Sequence, residues 1–280
     1  MAHDSYRSAR TLTIAARGHS LAYRELGPKR GVPIVFLQHL TGNLDDWDPA
    51  IIDGLAKEHH IITFDNVGVG ASSGVTPSSV EDMARDAEAF IDALKLDSVD
   101  LFGFSLGGLI APLIASRRPA LVRRMILAGA SAPGGHGLVD IVGVFQGALG
   151  RAGQLNRHPK HLLFFTPTAR SQAAADAFLA RLEARREDRD AATTMETIQA
   201  QLTAIVAWGR TPVDAAFGAI TQPTLVANGD RDVMVPTVNS FTLLEALPNA
   251  QLSIFPDAGH GGVFQYHAEF LDQVLRFLAD

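Results

Sequence analysis

The chain switches between short apolar runs and longer stretches in which apolar residues recur every three or four positions. Residues 11–16 and 21–25 alternate apolar with polar side chains, and Gly18 lies between them. This pattern predicts a β-hairpin. Pro33-Ile34-Val35-Phe36-Leu37 is instead continuously apolar and ends in polar residues. Such a run suits a strand buried on both faces, as in a parallel sheet. Ile61-Ile62-Thr63-Phe64, Val99-Asp100-Leu101-Phe102, Met125-Ile126-Leu127-Ala128 and Thr224-Leu225-Val226-Ala227 repeat it, and Leu252-Ser253-Ile254-Phe255 predicts one more strand.

Helical patterns separate these runs. Val80, Met83, Ala84, Ala87, Phe90, Ile91 and Leu94 fall on one helix face. Ser78, followed three residues later by Glu81, reads as a capping box at its start. Residues 109–116 and 238–247 predict further helices. Residues 267–279 predict a closing helix with Phe270, Leu271, Val274, Leu275 and Leu278 apolar. Strands alternating with helices imply a doubly wound α/β fold with a mostly parallel sheet of about eight strands.

The alternation stops near Ser131 and resumes near Gln222. Residues 138–149, 171–186 and 193–208 each read as a helix. Ser131-Ala132-Pro133-Gly134-Gly135 marks the entry. The expected organisation is a core domain of residues 1–130 and 221–280, interrupted by a helical insertion over 131–220. That division also accounts for a length of 280, large for one modest domain and small for two.

Charge and composition narrow the function. With 24 Lys+Arg against 30 Asp+Glu the net charge is −6, and the Arg pairs at 117–118, 123–124 and 185–186 are scattered, so a nucleic-acid partner is not expected. The absence of Cys removes disulfides, thiolate nucleophiles and Cys-ligated zinc together. The first residues lack an apolar signal core, and no apolar run reaches the roughly 18 residues of a membrane helix. A cytoplasmic protein with no membrane attachment is the expectation.

Gly103-Phe104-Ser105-Leu106-Gly107 matches G-x-S-x-G, between an apolar run and a helical pattern. That strand–turn–helix context is what the motif requires of an exposed serine nucleophile. The bland alternative is a serine starting a helix in a glycine-rich turn. A serine hydroxyl needs a base to take its proton. Of the ten His, His260 alone follows a late strand inside a glycine-rich loop, Asp257-Ala258-Gly259-His260-Gly261-Gly262. A third group must hold the imidazole in one tautomer, and both Asp230 and Asp232 lie just beyond the run at 224–227. His158 and His161 have metal-ligand spacing but no acidic partner in the pattern, and are read as surface histidines; no metal is assigned.

These segments, in the order serine, acid, histidine, closely resemble the α/β-hydrolase superfamily, and the resemblance covers nearly the whole chain. The similarity is strongest to the bacterial serine esterases, lipases and cofactor-free perhydrolases with a helical cap. The family's G-x-x-D-x-x-V-P pattern falls on Gly229–Pro236 and selects Asp232, leaving Asp230 as a loop-capping carboxylate. The resemblance also implies an oxyanion hole. One donor is the Leu106 N–H; the other comes from the loop after residue 37. Relatives often carry His-Gly-x-x-Gly there, whereas this chain reads Gln38-His39-Leu40-Thr41-Gly42. Counting back from Trp47 makes Leu40 N–H the second donor; aligning on His39 makes it Thr41 N–H. The first register also keeps Gly42 in place. His39 is read as organising the loop. Asp65-Asn66-Val67-Gly68-Val69-Gly70 resembles a family turn and is given a structural role.

Trp47, Leu138, Val142, Phe145, Phe164, Phe165 and Trp208 are candidate pocket residues, each with ordinary packing as its alternative. The resemblance implies an ester hydrolase with no cofactor, acting on a small-molecule ester or lactone of largely apolar character. Two other readings use the same scaffold: C–C bond hydrolysis, perhydrolysis or lyase chemistry, and a non-enzymatic ligand receptor.

Overall fold

The computed structural model describes residues 5–213 and 215–279. Eight strands form one sheet: β1 (Leu12–Ala16), β2 (His19–Leu26), β3 (Ile34–Leu37), β4 (Ile61–Phe64), β5 (Val99–Phe104), β6 (Val122–Ala128), β7 (Thr224–Gly229) and β8 (Ala250–Phe255). Their order is β1-β2-β4-β3-β5-β6-β7-β8. The pairs β1/β2 and β2/β4 are antiparallel and all others parallel. The hairpin turns at Arg17 and Gly18, both at positive φ (47° and 81°), the twist-matched two-residue connection.

The helices are α1 (Pro49–Leu55), α2 (Val80–Ala93), α3 (Leu106–Arg117), α4 (Ile141–Leu155), α5 (Lys160–Leu163), α6 (Ala169–Leu182), α7 (Met195–Arg210), α8 (Ala215–Gly218), α9 (Val238–Ala246), α10 (Gly262–Gln265) and α11 (His267–Ala279). Helices α1 and α11 cover one sheet face. There Phe36 stacks on Phe102 at 4.5 Å, and Phe270 of α11 meets Phe102 edge-on at 5.8 Å. On the other face Phe90 of α2 stacks on Phe64 at 4.3 Å. With both faces covered, β3, β4, β5 and β7 are buried along their whole length, as their continuous apolar runs require.

Several local expectations need correcting. The cap of α2 is Ser79, not Ser78: its hydroxyl accepts Asp82 N–H at 3.1 Å, one residue later than the capping-box reading. Helix α3 begins at Leu106, three residues earlier than its apolar pattern, because the elbow that carries Ser105 leads straight into it. The helix expected over 138–149 is a single 3₁₀ turn, Leu138–Asp140, followed by α4, which runs on to a left-handed Asn156. Short α1, α5 and α10 went unpredicted, since four to seven residues show too little periodicity. Helices α4 to α8 all lie between β6 and β7. Among the described residues no helix is long and apolar enough to cross a membrane.

Candidate active site

The parallel strands deliver their C-terminal ends to one edge of the sheet, where open α/β sheets place their sites. Ser105 closes β5 there, at φ 54° and ψ −115°. A non-glycine residue in that region is strained and persists only where its surroundings impose it. The imposing contact is visible at Gly107, where an added Cβ would lie 1.9 Å from the Leu37 carbonyl oxygen. Helix α3 must therefore start hard against β3, and the turn into it has no slack. Ser105 N–H donates to the Ala128 carbonyl at 2.8 Å, fixing the elbow to β6.

His260 and Asp232 meet against Phe104, the residue before Ser105. His260 Nδ1 donates to Asp232 Oδ2 at 2.7 Å, and both side chains are buried. Asp232 Oδ1 accepts Met234 and Val235 N–H at 2.8 and 2.9 Å, so the carboxylate cannot rotate away. With the proton of the neutral ring on Nδ1, His260 Nε2 is an acceptor, and that buried atom has no hydrogen-bond partner among the described residues. The imidazole packs on Phe104, the residue before Ser105, at 4.9 Å, and edge-on to Phe164 at 5.5 Å. Gly129, at φ 54°, lets the ring in: a Cβ there would lie 2.8 Å from His260 Cε1. Asp230 instead accepts Ala258 N–H at 3.1 Å, capping the loop that carries His260.

The two N–H groups that the alternative registers name differ in their partners. Thr41 N–H is engaged, donating to Gln201 Oε1 of α7 at 2.8 Å. Leu40 N–H has no acceptor among the described residues. Leu106 is the first residue of α3, so its N–H is one of the donors a helix start leaves open. Leu40 and Leu106 N–H are thus the free pair. His39 organises the loop: Nδ1 donates to the Leu40 carbonyl at 2.6 Å, and the ring stands edge-on to Phe104 and Phe164. Burial, reinforced by the nearby Lys160 ammonium, depresses its pKa from 6.5 to about 3, so His39 is neutral at working pH.

The remaining candidates separate. Phe164 touches both His260 and His39. Leu138 is buried against the Gly209 backbone, and Phe145 and Trp208 are buried with it in the helical layer. Trp47 is a correction: it packs edge-on to Phe36 and Phe102 at 5.0 and 5.7 Å, so core packing claims it. Val142 is also displaced, to a shallow outer groove between α4 and α7 with Leu202 and Val206. His161 does have an acidic partner, Asp176 at 2.8 Å, while His158 Nδ1 accepts Lys160 N–H. Among the described residues no group of three or more His, Cys, Asp or Glu is placed to hold a metal ion. Asp65 is a turn carboxylate, accepting Leu44 and Ala71 N–H at 2.8 and 3.2 Å; burial pushes its pKa well up.

Sequence patterning missed one group altogether, the polar residues that tie the helical layer to the loop after β3. Thr193 donates to Thr41 O, Asn43 to Ala191 O, and Arg181 grips Asp48 through two bonds of 2.8 and 2.6 Å. Lys160 pairs with Asp46. The available signal was a polar residue such as Gln201 on an otherwise apolar helix face.

Comparison with known proteins agrees with the fold. The family model described as the alpha/beta hydrolase fold matches residues 32–265. A solved alpha/beta hydrolase fold protein from Chitinophaga pinensis superposes with a TM-score of 0.91 at 40% identity, over 98% of this chain and 99% of the other. A candidate carbamate hydrolase, RutD, of Variovorax paradoxus (strain S110) is 30% identical over 92% of this chain and 96% of its own. The 2-hydroxymuconate semialdehyde hydrolase of Pseudomonas sp. (strain CF600) is 29% identical over 89% of this chain and 88% of its own.

Proposed function

The chain belongs to the alpha/beta hydrolase fold family, and within it we propose that this protein is a serine hydrolase cleaving a carboxylic ester or lactone through an acyl-enzyme intermediate. The observation that carries the reading is the buried 2.7 Å bond from His260 Nδ1 to Asp232 Oδ2, which leaves Nε2 free at the end of the strand that bears Ser105.

In this reading Ser105 Oγ attacks the acyl carbonyl while His260 Nε2 takes its proton. Asp232 holds the ring in the required tautomer and stabilises the imidazolium. The tetrahedral oxyanion accepts Leu40 and Leu106 N–H; each such donor is worth about 3 kcal/mol. Collapse expels the alcohol, protonated by His260. Water activated by the same nitrogen then releases the acid and regenerates Ser105. Residues 131–220 act as a cap over the core formed by 1–130 and 221–280. Phe164, Leu138, Phe145 and Trp208 supply its apolar walls, and the substrate is a small to medium, largely apolar molecule.

The test is turnover of p-nitrophenyl acetate with fluorophosphonate labelling. Wild type should hydrolyse the ester and be labelled at Ser105, and Ser105→Ala should do neither. Retained activity in Ser105→Ala would overturn the reading. The relatives named for a carbamate and a semialdehyde favour a second reading, in which the same residues attack a carbonyl bound to nitrogen or carbon. Turnover of carbamates or of C–C substrates, with the ester panel inert, would select it.

A further inference from the structure

Helix α7 bridges three loops at the C-terminal edge of the sheet. Thr197 Oγ1 donates to Gly68 O, beyond β4, at 3.0 Å. Gln201 Oε1 accepts Thr41 N–H, beyond β3, at 2.8 Å. Trp208 O accepts Gly134 N–H, beyond β6, at 2.9 Å. Strand β5 lies between β3 and β6, so the stretch from Gln201 to Trp208 passes over the strand that leads into Ser105. From 197 to 208 the helix rises about 16 Å, and β4 to β6 spans three strand spacings of about 4.8 Å. The two lengths match, so α7 runs across the strand ends as a roof beam.

Gln201 sits on the underside of that beam at 0% exposure. Only an amide oxygen can accept Thr41 N–H, so the orientation of the amide is fixed by its partner. Its Nε2 is then a buried donor with no partner among the described residues, and native structures rarely leave one. Trp208 Nε1, two turns further along, is a second, and Asn66 Nδ2, just past β4, a third. The neighbouring cations are already engaged, Lys160 by Asp46 and Arg181 by Asp48. The unpartnered donors along this beam are therefore neutral N–H groups, while His39 Nε2 in the loop below is an unpartnered acceptor.

We propose that Gln201 is a substrate-reading residue: Nε2 donates to an uncharged acceptor oxygen, a ketone, ether or second carbonyl, near the scissile carbonyl. Through Oε1 the same side chain is a positioning residue for the loop that presents Leu40 N–H. This rests on the proposed hydrolase function and sharpens its substrate class. A purely apolar ester leaves the amide unpaired; one with a further oxygen satisfies it.

The test compares isosteric esters: p-nitrophenyl pentanoate with p-nitrophenyl 4-oxopentanoate, and pentyl acetate with 4-oxopentyl acetate. Wild type should favour the oxo member of at least one pair by about tenfold in kcat/KM. Gln201→Glu retains an acceptor for Thr41 N–H but loses the donor, and should bring that ratio to about one by raising KM for the oxo ester. Gln201→Met should also lose the ratio, and lower kcat on both esters as Thr41 is released. An unchanged ratio in both variants, or no preference in wild type, would overturn the proposal. If wild type turned over no ester and Ser105 resisted fluorophosphonate, the hydrolase reading itself would fail. Calorimetric binding of each ester pair to Ser105→Ala, with and without Gln201→Met, reports the preference without turnover.

Discussion

His260 and Asp232 lie 28 residues apart in sequence and share a buried hydrogen bond of 2.7 Å. Asp230, two residues from Asp232, bonds instead to the backbone of the histidine loop. The two acids therefore predict different phenotypes. Asp232→Asn should lower kcat for p-nitrophenyl butyrate by about 10³–10⁴-fold, because the ring then favours the wrong tautomer. Asp230→Asn should lower it less than about tenfold. Steady-state kinetics on the two variants check this, and equal losses would refute the assignment of the acid.

The elbow stores strain that glycine would relieve. Ser105 at φ 54° is in a region that alanine tolerates poorly. Ser105→Gly should therefore be more stable than Ser105→Ala by about 1 kcal/mol, measured by urea unfolding. Gly107→Ala should fail to fold or lose more than about 3 kcal/mol, since its Cβ meets backbone rather than a movable side chain.

Acid stability should depend on His39. Its folded pKa of about 3 lies below the unfolded 6.5, so between these values the unfolded chain binds the extra proton. Stability from this group is present above pH 6.5 and is lost as pH falls toward 3. By pH 4.5 the loss is about 2–3 kcal/mol. His39→Gln should flatten the dependence of the urea midpoint on pH between 7 and 4.5. A variant as acid-sensitive as wild type would show that other groups carry the effect.

The helical layer is a braced roof at the site edge. Thr166 and Thr168 hold Asp257 at 2.7 Å each, Ser171 holds Gln265 at 2.6 Å, and Arg181 holds the fully buried carboxylate of Asp48. Arg181→Leu leaves that carboxylate without its cation and should cost about 3 kcal/mol by urea unfolding. The loop presenting Leu40 N–H is held by the same network, so kcat should fall as well. A loss of stability with kcat intact would mean that the brace and the oxyanion loop are independent.

Much of the site was legible in the chain because its chemistry depends on local shape. G-x-S-x-G encodes its own elbow: a Cβ at Gly103 would strike the Gly107 and Gly108 backbone at the start of α3, and one at Gly107 the Leu37 carbonyl of β3. Asp232 was separated from Asp230 only by the resemblance of Gly229–Pro236 to a family pattern; the structure adds the Asx turn it forms with Met234 and Val235 N–H. Trp47 was misread because a large aromatic residue in a site loop has the same signature whether it faces ligand or core. Only the stacking partners, Phe36 and Phe102, distinguish the two. Val142 was misread for a related reason, since an apolar helix position does not say which neighbour covers it.

The sequence alone determined the sheet strands and the helical stretch between β6 and β7, because periodicity and turn chemistry are properties of short segments; the choice of Asp232 rested on a family resemblance. Tertiary structure decided the contacts between segments far apart in the chain. It freed Leu40 N–H by giving Thr41 N–H to Gln201, 160 residues away, and it buried His39 beside a lysine from the insertion. No periodicity carries that information: a hydrogen bond between distant residues exists only once packing has brought the two groups together and excluded water from both.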